Sequence, residues 1–227
     1  MSELGMLALA SAAFVGTHFL MSHPLRSPMV SALGERGFAI AYTIVSLLTF
    51  GWMVWAYPDA SAEAPQPLWD AGRGGFVAAT ILMWLGSVLF MGSLRRNPAF
   101  PRPGKKIERI DEARGVYSIT RHPMMWGFAL WSATHAIVNP TRAGLILYFA
   151  IAFLALVGAA LQDAKKEKQL GEVWRDWRSK TSFVPYGRGL KSADGFALLI
   201  GTILWLVASW AHGALGARPA GVFAFFG

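Results

Sequence analysis

Six apolar runs, separated by shorter polar segments, divide the sequence. Each run is about 17–25 residues long, the length at which a helix rising about 1.5 Å per residue crosses a hydrocarbon core of roughly 30 Å. The pattern therefore predicts an all-α integral membrane protein, in which residues 1–227 form a single domain with six transmembrane helices. The runs lie at about 4–22, 37–57, 75–93, 123–139, 143–162 and 195–216.

The segments between the runs add detail to this topology. The fourth run is the shortest, and the sequence NPTR at 139–142 predicts a tight turn that joins it to the fifth run as a helical hairpin. Residues 59–75 predict a flexible loop rather than a domain boundary. The first run lacks the basic start of a signal peptide and carries Glu3 instead, so it predicts a retained membrane helix.

Positive charge is distributed very unevenly between the two sides of this topology. The segments 23–36, 94–122 and 163–194, which six spans place on one side, hold 18 of the 21 Lys and Arg residues. The positive-inside rule then predicts a bacterial inner-membrane protein with these loops in the cytoplasm and both termini outside. The loops chiefly set topology and attract anionic lipid, with phosphate binding as the alternative.

Composition supports the membrane assignment and limits the chemistry. Apolar residues make up 54% of the chain and charged residues 15%, with a mean hydropathy of +0.40. The net charge of +8 does not indicate nucleic acid binding, because it is confined to loops between apolar runs. The absence of cysteine excludes disulfides, thiolate metal sites and covalently attached haem. Metal or redox chemistry must therefore use histidine, carboxylate or backbone groups.

Histidines within the apolar runs are the first candidates for that chemistry. His135 in the fourth run shares a helical face with Trp131, Ser132 and Asn139, and His212 has a similar polar stripe in the sixth. His18 occupies the first run. Polar stripes of this kind are expected to face the bundle interior, either as a site or simply to hydrogen-bond across helices.

A second group of candidates lies on the side predicted to be cytoplasmic. His122 is 13 residues before His135, roughly 20 Å along a helix, so the two do not share one small site. In segment 163–190, apolar residues recur at helical spacing and include Trp174 and Trp177. They predict an amphipathic helix between the fifth and sixth spans, lying on the membrane surface and either capping a cytoplasmic pocket or serving as an anchor.

Two groups of motif residues flank the predicted hairpin. They are Arg121, His122, Pro123 and Gly127, then Glu167, Leu170, Gly171, Trp174, Trp177, Thr181, Ser182, Phe183 and Pro185. Together they resemble the superfamily that includes the isoprenylcysteine carboxyl methyltransferases, where the matching region forms the S-adenosylmethionine pocket. The resemblance implies catalytic roles for Arg121 and His122 and a cofactor-binding role for Glu167.

A more specific pattern covers nearly the whole chain. Its residues are Thr17 to Leu20, Ser22 to Arg26, Leu33 to Phe38, Arg121 to Pro123 and Ala133 to His135. This pattern resembles the NnrU family, which is associated with nitrite and nitric oxide reduction in denitrification and is related to the haem-binding plant 15-cis-zeta-carotene isomerase. The resemblance implies haem b with His18 and His135 as metal ligands, while depth in the membrane favours His212 as the partner of His135.

Three functions follow from these patterns, and the sequence leaves open whether the protein is an enzyme. The first is a haem-binding membrane protein linked to nitrogen oxide reduction or to isomerisation of a lipophilic small molecule, with His18, His135 and His212 as cofactor-binding candidates. The second is a non-enzymatic component that assembles with a membrane reductase complex. The third is an S-adenosylmethionine-dependent methyltransferase that uses Arg121, His122 and Glu167. All three place the protein in the lipid bilayer.

Overall fold

The computed structural model describes residues 1–95, 97–98 and 109–225, and within them the fold is entirely helical. The described residues form eight α-helices and one 3₁₀ helix, with no strand. The all-α prediction is therefore confirmed. The helices are α1 Glu3–Ser22, α2 Arg26–Glu63, α3 Gly72–Ser93, α4 Val116–Ile119, α5 Pro123–Val138, α6 Arg142–Leu170, α7 Glu172–Lys180 and α8 Gly195–Ala214, followed by the 3₁₀ helix Gly221–Phe225.

Five of the described helices are long and apolar enough to cross a membrane, so the protein is a multi-pass membrane protein. They are α1, α2, α3, α6 and α8. The predicted fourth span is the shorter helix α5, whose 16 residues extend about 24 Å and fall short of a hydrocarbon core. It begins at Pro123, as the sequence predicted, because proline lacks an N–H and suits the first turn of a helix.

Two of the helices extend beyond their predicted bounds. The predicted loops 23–36 and 59–75 are wrong in part, because α2 runs from Arg26 to Glu63 and α3 already begins at Gly72. Gly34, with φ 70° and ψ 170°, interrupts α2 near its start. Helix α6 continues eight residues past the predicted end at 162, since Ala, Lys, Glu and Gln there favour helix despite their polarity.

Residues 1–70 and 139–154 form one compact unit of the chain. Within it α1 and α2 lie antiparallel, since the Leu4 backbone N–H donates to the Glu63 carboxylate at 3.0 Å and the Phe14 and Phe50 rings lie 5.6 Å apart. The start of α6 joins this unit through Phe153, whose ring centroid is 6.0 Å from that of Phe19. Apolar ring contacts therefore hold this unit together.

Residues 71–138 and 155–227 form the second unit. Helix α3 packs against α5 and α8 there, and glycines permit the close approach. A Cβ on Gly201 of α8 would come within 2.5 Å of the Val88 backbone, and one on Gly127 of α5 within 3.1 Å of the Gly86 carbonyl. Small residues at such interfaces let membrane helices pack tightly without a hydrophobic driving force from water.

The core of the second unit lies at the end where α4 and α7 join α3 and α8. Trp174 and Trp177 of α7 are buried in it rather than exposed to lipid, so the prediction of a helix lying on the membrane surface is wrong for this apolar face. The sequence pattern located the helix correctly, but protein side chains provide the apolar surroundings that we assigned to the bilayer. The buried members of the core are Val88, Leu89, Val116, Tyr117, Ile119, Trp174, Trp177 and Ala197.

Candidate functional site

A cleft of about 720 Å³ lies in the second unit, on the side that the charge distribution predicts to be cytoplasmic. Three parts of the chain line it: the corner just before α5, the end of α6, and α7 with the loop that follows. We call it the arginine cleft. Its lining residues are Arg121, Glu167, Arg175, Arg178, Ser179, Thr181, Ser182, Phe183, Gly187 and Arg188.

A buried ion-pair cluster fixes the corner before α5. The Arg121 guanidinium approaches one Asp163 oxygen with Nε at 2.8 Å and Nη2 at 2.7 Å, while His122 Nε2 lies 3.0 Å from the other oxygen. The side chains of Arg121, His122 and Asp163 are only 9%, 1% and 7% exposed. Charges so far from water persist only when paired, so Asp163 holds Arg121 in place at the wall of the cleft.

Hydrogen bonds attach the loop at residues 181–188 to the same corner. The Arg121 N–H donates to the Ser182 carbonyl at 2.8 Å, and the Thr120 hydroxyl and the Trp126 indole N–H donate to the Phe183 carbonyl at 2.6 and 2.8 Å. The Tyr186 N–H donates to the Ile119 carbonyl at 3.0 Å. These bonds satisfy backbone groups that would otherwise lie buried and unpaired, and they make the loop a fixed wall.

Helix α7 contributes its opposite, charged face to the cleft. Arg178 pairs with Glu167, and Arg175 lies 3.7 Å from the same carboxylate. Arg175 also hydrogen-bonds to Glu172, and this bond, with the attraction between the charges, holds the pKa of the Glu172 carboxyl below its usual range. The four lining arginines outnumber the single lining glutamate, so the cleft carries an excess of positive charge.

A pair of histidines forms a second polar feature of the same unit. The ring centroids of His135 on α5 and His212 on α8 lie 6.1 Å apart with 30° between the ring planes. Nδ1 of His135 is 2.7 Å from the Trp131 carbonyl, and Nδ1 of His212 is 2.7 Å from that of Ala208. A carbonyl oxygen only accepts hydrogen bonds, so Nδ1 carries the proton in both rings.

The first-helix histidines belong to the other unit of the chain. The His18 ring packs between aromatic neighbours, with centroids 4.5 Å from Phe14 and 5.4 Å from Tyr42. Its Nδ1 donates to the Phe14 carbonyl at 2.8 Å, the same arrangement that His135 and His212 show. His23 lies at the end of α1, with its ring 6.5 Å from Phe19.

The comparison with protein families covers almost the whole chain. Residues 6–219 match the family model described as NnrU protein. The chain belongs to the NnrU family. No curated protein and no solved structure matches it. The resemblance that the sequence motifs indicated is therefore confirmed at the level of the family.

In this NnrU-family protein the predicted site residues fall into separate groups. Arg121 and Glu167 line the arginine cleft together, whereas His122 lies buried beside Asp163 and is not among the lining residues. His135 and His212 form the histidine pair, and His18 lies in the other unit. The roles assigned to these residues remain predictions.

Sequence reasoning missed several residues of the cleft. Asp163 pairs with Arg121 across 42 positions, and nothing in the local sequence indicates that contact. Its one signal is its place as the first acidic residue after the apolar run of α6, opposite a basic loop. Arg178 and Arg188 were assigned only to the basic loop, because their convergence depends on how α7 and the following turn fold back.

Proposed function

We propose that this NnrU-family protein is a haem-binding protein of the bacterial inner membrane, linked to nitrite and nitric oxide reduction. His135 and His212 would hold the iron. The observation that supports this choice is the separation of 6.1 Å between their ring centroids. An imidazole nitrogen lies about 2.0–2.1 Å from a bound metal ion, so two rings this close together would both reach one iron.

The protonation of the two rings supports the same assignment. Because Nδ1 donates to a backbone carbonyl in each ring, the neutral imidazole has its lone pair at Nε2, the usual ligand atom. A ligating histidine commonly fixes its other nitrogen in this way, which orients the ring. His135 and His212 therefore have the hydrogen bonding that iron-ligating histidines commonly have, as His18 also does.

The small number of donors favours haem over a bare metal ion. Within the described residues, no group of three or more His, Asp or Glu side chains could hold a metal. A structural zinc site uses about four protein ligands, whereas haem brings four nitrogens of its own and needs one or two from the protein. The Ser132 hydroxyl on α5 and the Trp205 indole N–H on α8 are buried without a hydrogen-bond partner, so each helix carries a polar group available to a ligand.

The ligand set also suggests the role of the cofactor. Haem held by His135 and His212 would supply a one-electron ferric–ferrous couple, and that chemistry suits electron transfer or redox sensing. We therefore place the protein beside a membrane reductase as an electron-transfer or sensing component. Isomerisation of a lipophilic substrate gated by the same couple is the variant suggested by the related isomerase.

Purification after expression with a haem precursor tests the proposal. We expect about one haem per chain and a Soret band that shifts when dithionite is added. Protein that remains colourless under these conditions, while folding as judged by its helical circular dichroism, would contradict haem binding. Colourless protein that co-purifies with a reductase would support a non-enzymatic assembly role instead.

With α5 as a sixth, short crossing, the charge distribution predicts that the arginine cleft lies in the cytoplasm and both termini lie outside. Reporter fusions test it because alkaline phosphatase is active only outside the cytoplasm. A fusion after Gly187 is expected to be inactive and one after Ala62 to be active. The reverse pattern of activities would show that the protein has the opposite orientation in the membrane.

A methyltransferase is the second candidate, favoured by one observation. Arg121 and Glu167, the residues that the methyltransferase resemblance implies, line the same cleft. Glu167, however, already binds Arg178 and lies close to Arg175, which leaves little negative charge for a sulfonium cofactor. Equilibrium binding of S-adenosylmethionine to the purified protein tests this candidate, and loss of that binding in Glu167→Gln would support it.

A further inference from the structure

The arginine cleft has a charge and a shape that the haem proposal does not explain. Four arginines line it against one glutamate: one at the corner before α5, two on α7 and one in the loop that follows α7. Arg121 is fixed by Asp163, and Arg188 donates through Nε to the Thr181 carbonyl at 3.2 Å. Convergent guanidinium groups held in place by a carboxylate and a backbone carbonyl repel one another unless an anion offsets their charge.

The available carboxylates balance only part of this charge. Glu167 is shared between Arg175 and Arg178, and Asp163 serves Arg121 from behind the wall of the cleft. Among the described residues Arg188 forms no ion pair with a carboxylate, although its side chain lines the cleft. Among the lining arginines, Arg188 is therefore the one whose charge is not balanced by a carboxylate of the described residues.

We propose that the arginine cleft binds a phosphate group of its ligand, with Arg188 and Arg178 as the recognising residues. Guanidinium presents a planar fork of N–H donors that matches phosphate oxygens, and bonds between charged partners are roughly twice as strong as neutral ones. A doubly charged phosphomonoester or diphosphate balances several arginines at once. The hydroxyls of Ser179 and Ser182 add polar groups to the same lining.

The position of the cleft allows the phosphate to come from lipid or from solution. Arg121 immediately precedes the apolar helix α5, and the loop that lines the cleft exposes the apolar residues Val184 and Leu190. The cleft thus opens where an apolar helix begins, within reach of a phosphorylated lipid headgroup. A soluble phosphate compound would meet the same arginines, so the test uses both sources.

Calorimetric titration of the full-length protein in detergent tests the proposal with two probes. Sodium pyrophosphate represents soluble phosphate, and short-chain phosphatidic acid represents lipid, with the matched phosphatidylcholine as the zwitterionic control. Binding of either anionic probe, weakened by added salt, is expected. Binding of phosphatidic acid alone assigns the ligand to the membrane, and binding of pyrophosphate alone assigns it to solution.

Variants distinguish the cleft from general surface attraction. Arg188→Gln and Arg178→Gln are each expected to weaken binding about tenfold or more, because each removes a hydrogen bond between charged groups. Lys180→Gln is the matched control, since Lys180 pairs with Asp176 on α7 and is not among the lining residues. It should change affinity less than about twofold.

Using two arginine variants distinguishes loss of binding from misfolding. Arg188 lies in the loop and Arg178 on α7, so a shared loss of binding with unchanged melting temperatures comes from the cleft itself. The proposal is overturned if the wild-type protein binds neither probe. It is also overturned if Lys180→Gln weakens binding as much as Arg188→Gln, or if the cleft binds S-adenosylmethionine and no phosphate.

Discussion

The arginine cleft and the histidine pair lie in the same unit of the chain but are held in opposite ways. In the cleft, Arg121 bonds to Asp163 across 42 positions, and Thr120 bonds to Phe183 across 63. In the pair, His135 and His212 each bond to the carbonyl four residues earlier in their own helix. Long-range contacts therefore build the cleft, and local contacts orient the histidines.

Because of this difference, substitutions at the two places should have different effects: those at the cleft corner should lower stability, and those at the histidine pair should lower ligand binding. Removing a group at the cleft corner leaves a buried partner unpaired, so the fold itself should be weakened. Removing an imidazole at the histidine pair removes a hydrogen bond within the helix and ring contacts but leaves no buried charge unpaired, so the fold should survive while the proposed haem binding is lost. The predictions below test this contrast by comparing stability with ligand binding.

The largest effect is expected at Asp163. Asp163→Ala leaves Arg121 and His122 buried without their shared carboxylate, and breaking a buried pair in this way costs about 3–5 kcal/mol. Thermal unfolding in detergent, together with the amount of protein in the membrane, measures the loss. Asp176→Ala is the control, because its pair with Lys180 is exposed and should contribute less than about 1 kcal/mol. Equal losses of stability in the two variants would show that the buried cluster contributes no more than an exposed ion pair.

His122→Ala should destabilise the fold next most strongly. The ring is almost fully buried, contacts Asp163 and lies 5.2 Å from the Phe183 ring, so its loss costs about 1–3 kcal/mol. The catalytic role that the methyltransferase resemblance implies for His122 predicts instead that the variant loses function more than stability. Unfolding midpoints that match the wild type would favour that role.

A smaller loss is expected for Tyr117→Phe. The hydroxyl donates to the Ser93 carbonyl at 2.8 Å inside the core that also holds Trp177, and burial raises the pKa of this phenol well above its ordinary value. Deleting the hydroxyl leaves a buried carbonyl unpaired at a cost of about 1 kcal/mol. A lower unfolding midpoint with unchanged phosphate binding would show that this hydrogen bond stabilises the fold around the cleft and does not contact the ligand.

The smallest change in stability is expected at the histidine pair. His212→Ala and His135→Ala each remove a hydrogen bond within one helix together with the ring contacts of that imidazole, and should cost about 1 kcal/mol or less in protein without haem. Unfolding in detergent after growth without a haem precursor measures this. A loss of stability as large as that of Asp163→Ala would show that the histidines serve to pack the helices.

The contrast also explains what the sequence predicted and what it did not. The length of the apolar runs located the membrane helices, and the spacing of Trp174 and Trp177 located α7, because side-chain type and helix period are local properties. The sequence did not predict that these tryptophans face α3 and α4, or that Asp163 pairs with Arg121. Both contacts depend on chain segments that come together only after the helices pack.

The partner of His135 illustrates the same limit. Family resemblance pointed to His18, and a depth count pointed to His212. The structure places the His212 ring 6.1 Å from that of His135, which agrees with the depth count. The choice of His18 or His212 as the second ligand stays a prediction.

The most direct measurement is the reduced-minus-oxidised absorption spectrum of four purified proteins: wild type, His135→Ala, His212→Ala and His18→Ala. We expect the bis-histidine haem spectrum in wild type and in His18→Ala, and its loss or conversion to a high-spin form in His135→Ala and His212→Ala. A normal spectrum in His212→Ala with loss in His18→Ala would contradict the pairing of His135 with His212, and the absence of haem from all four proteins would contradict haem binding altogether.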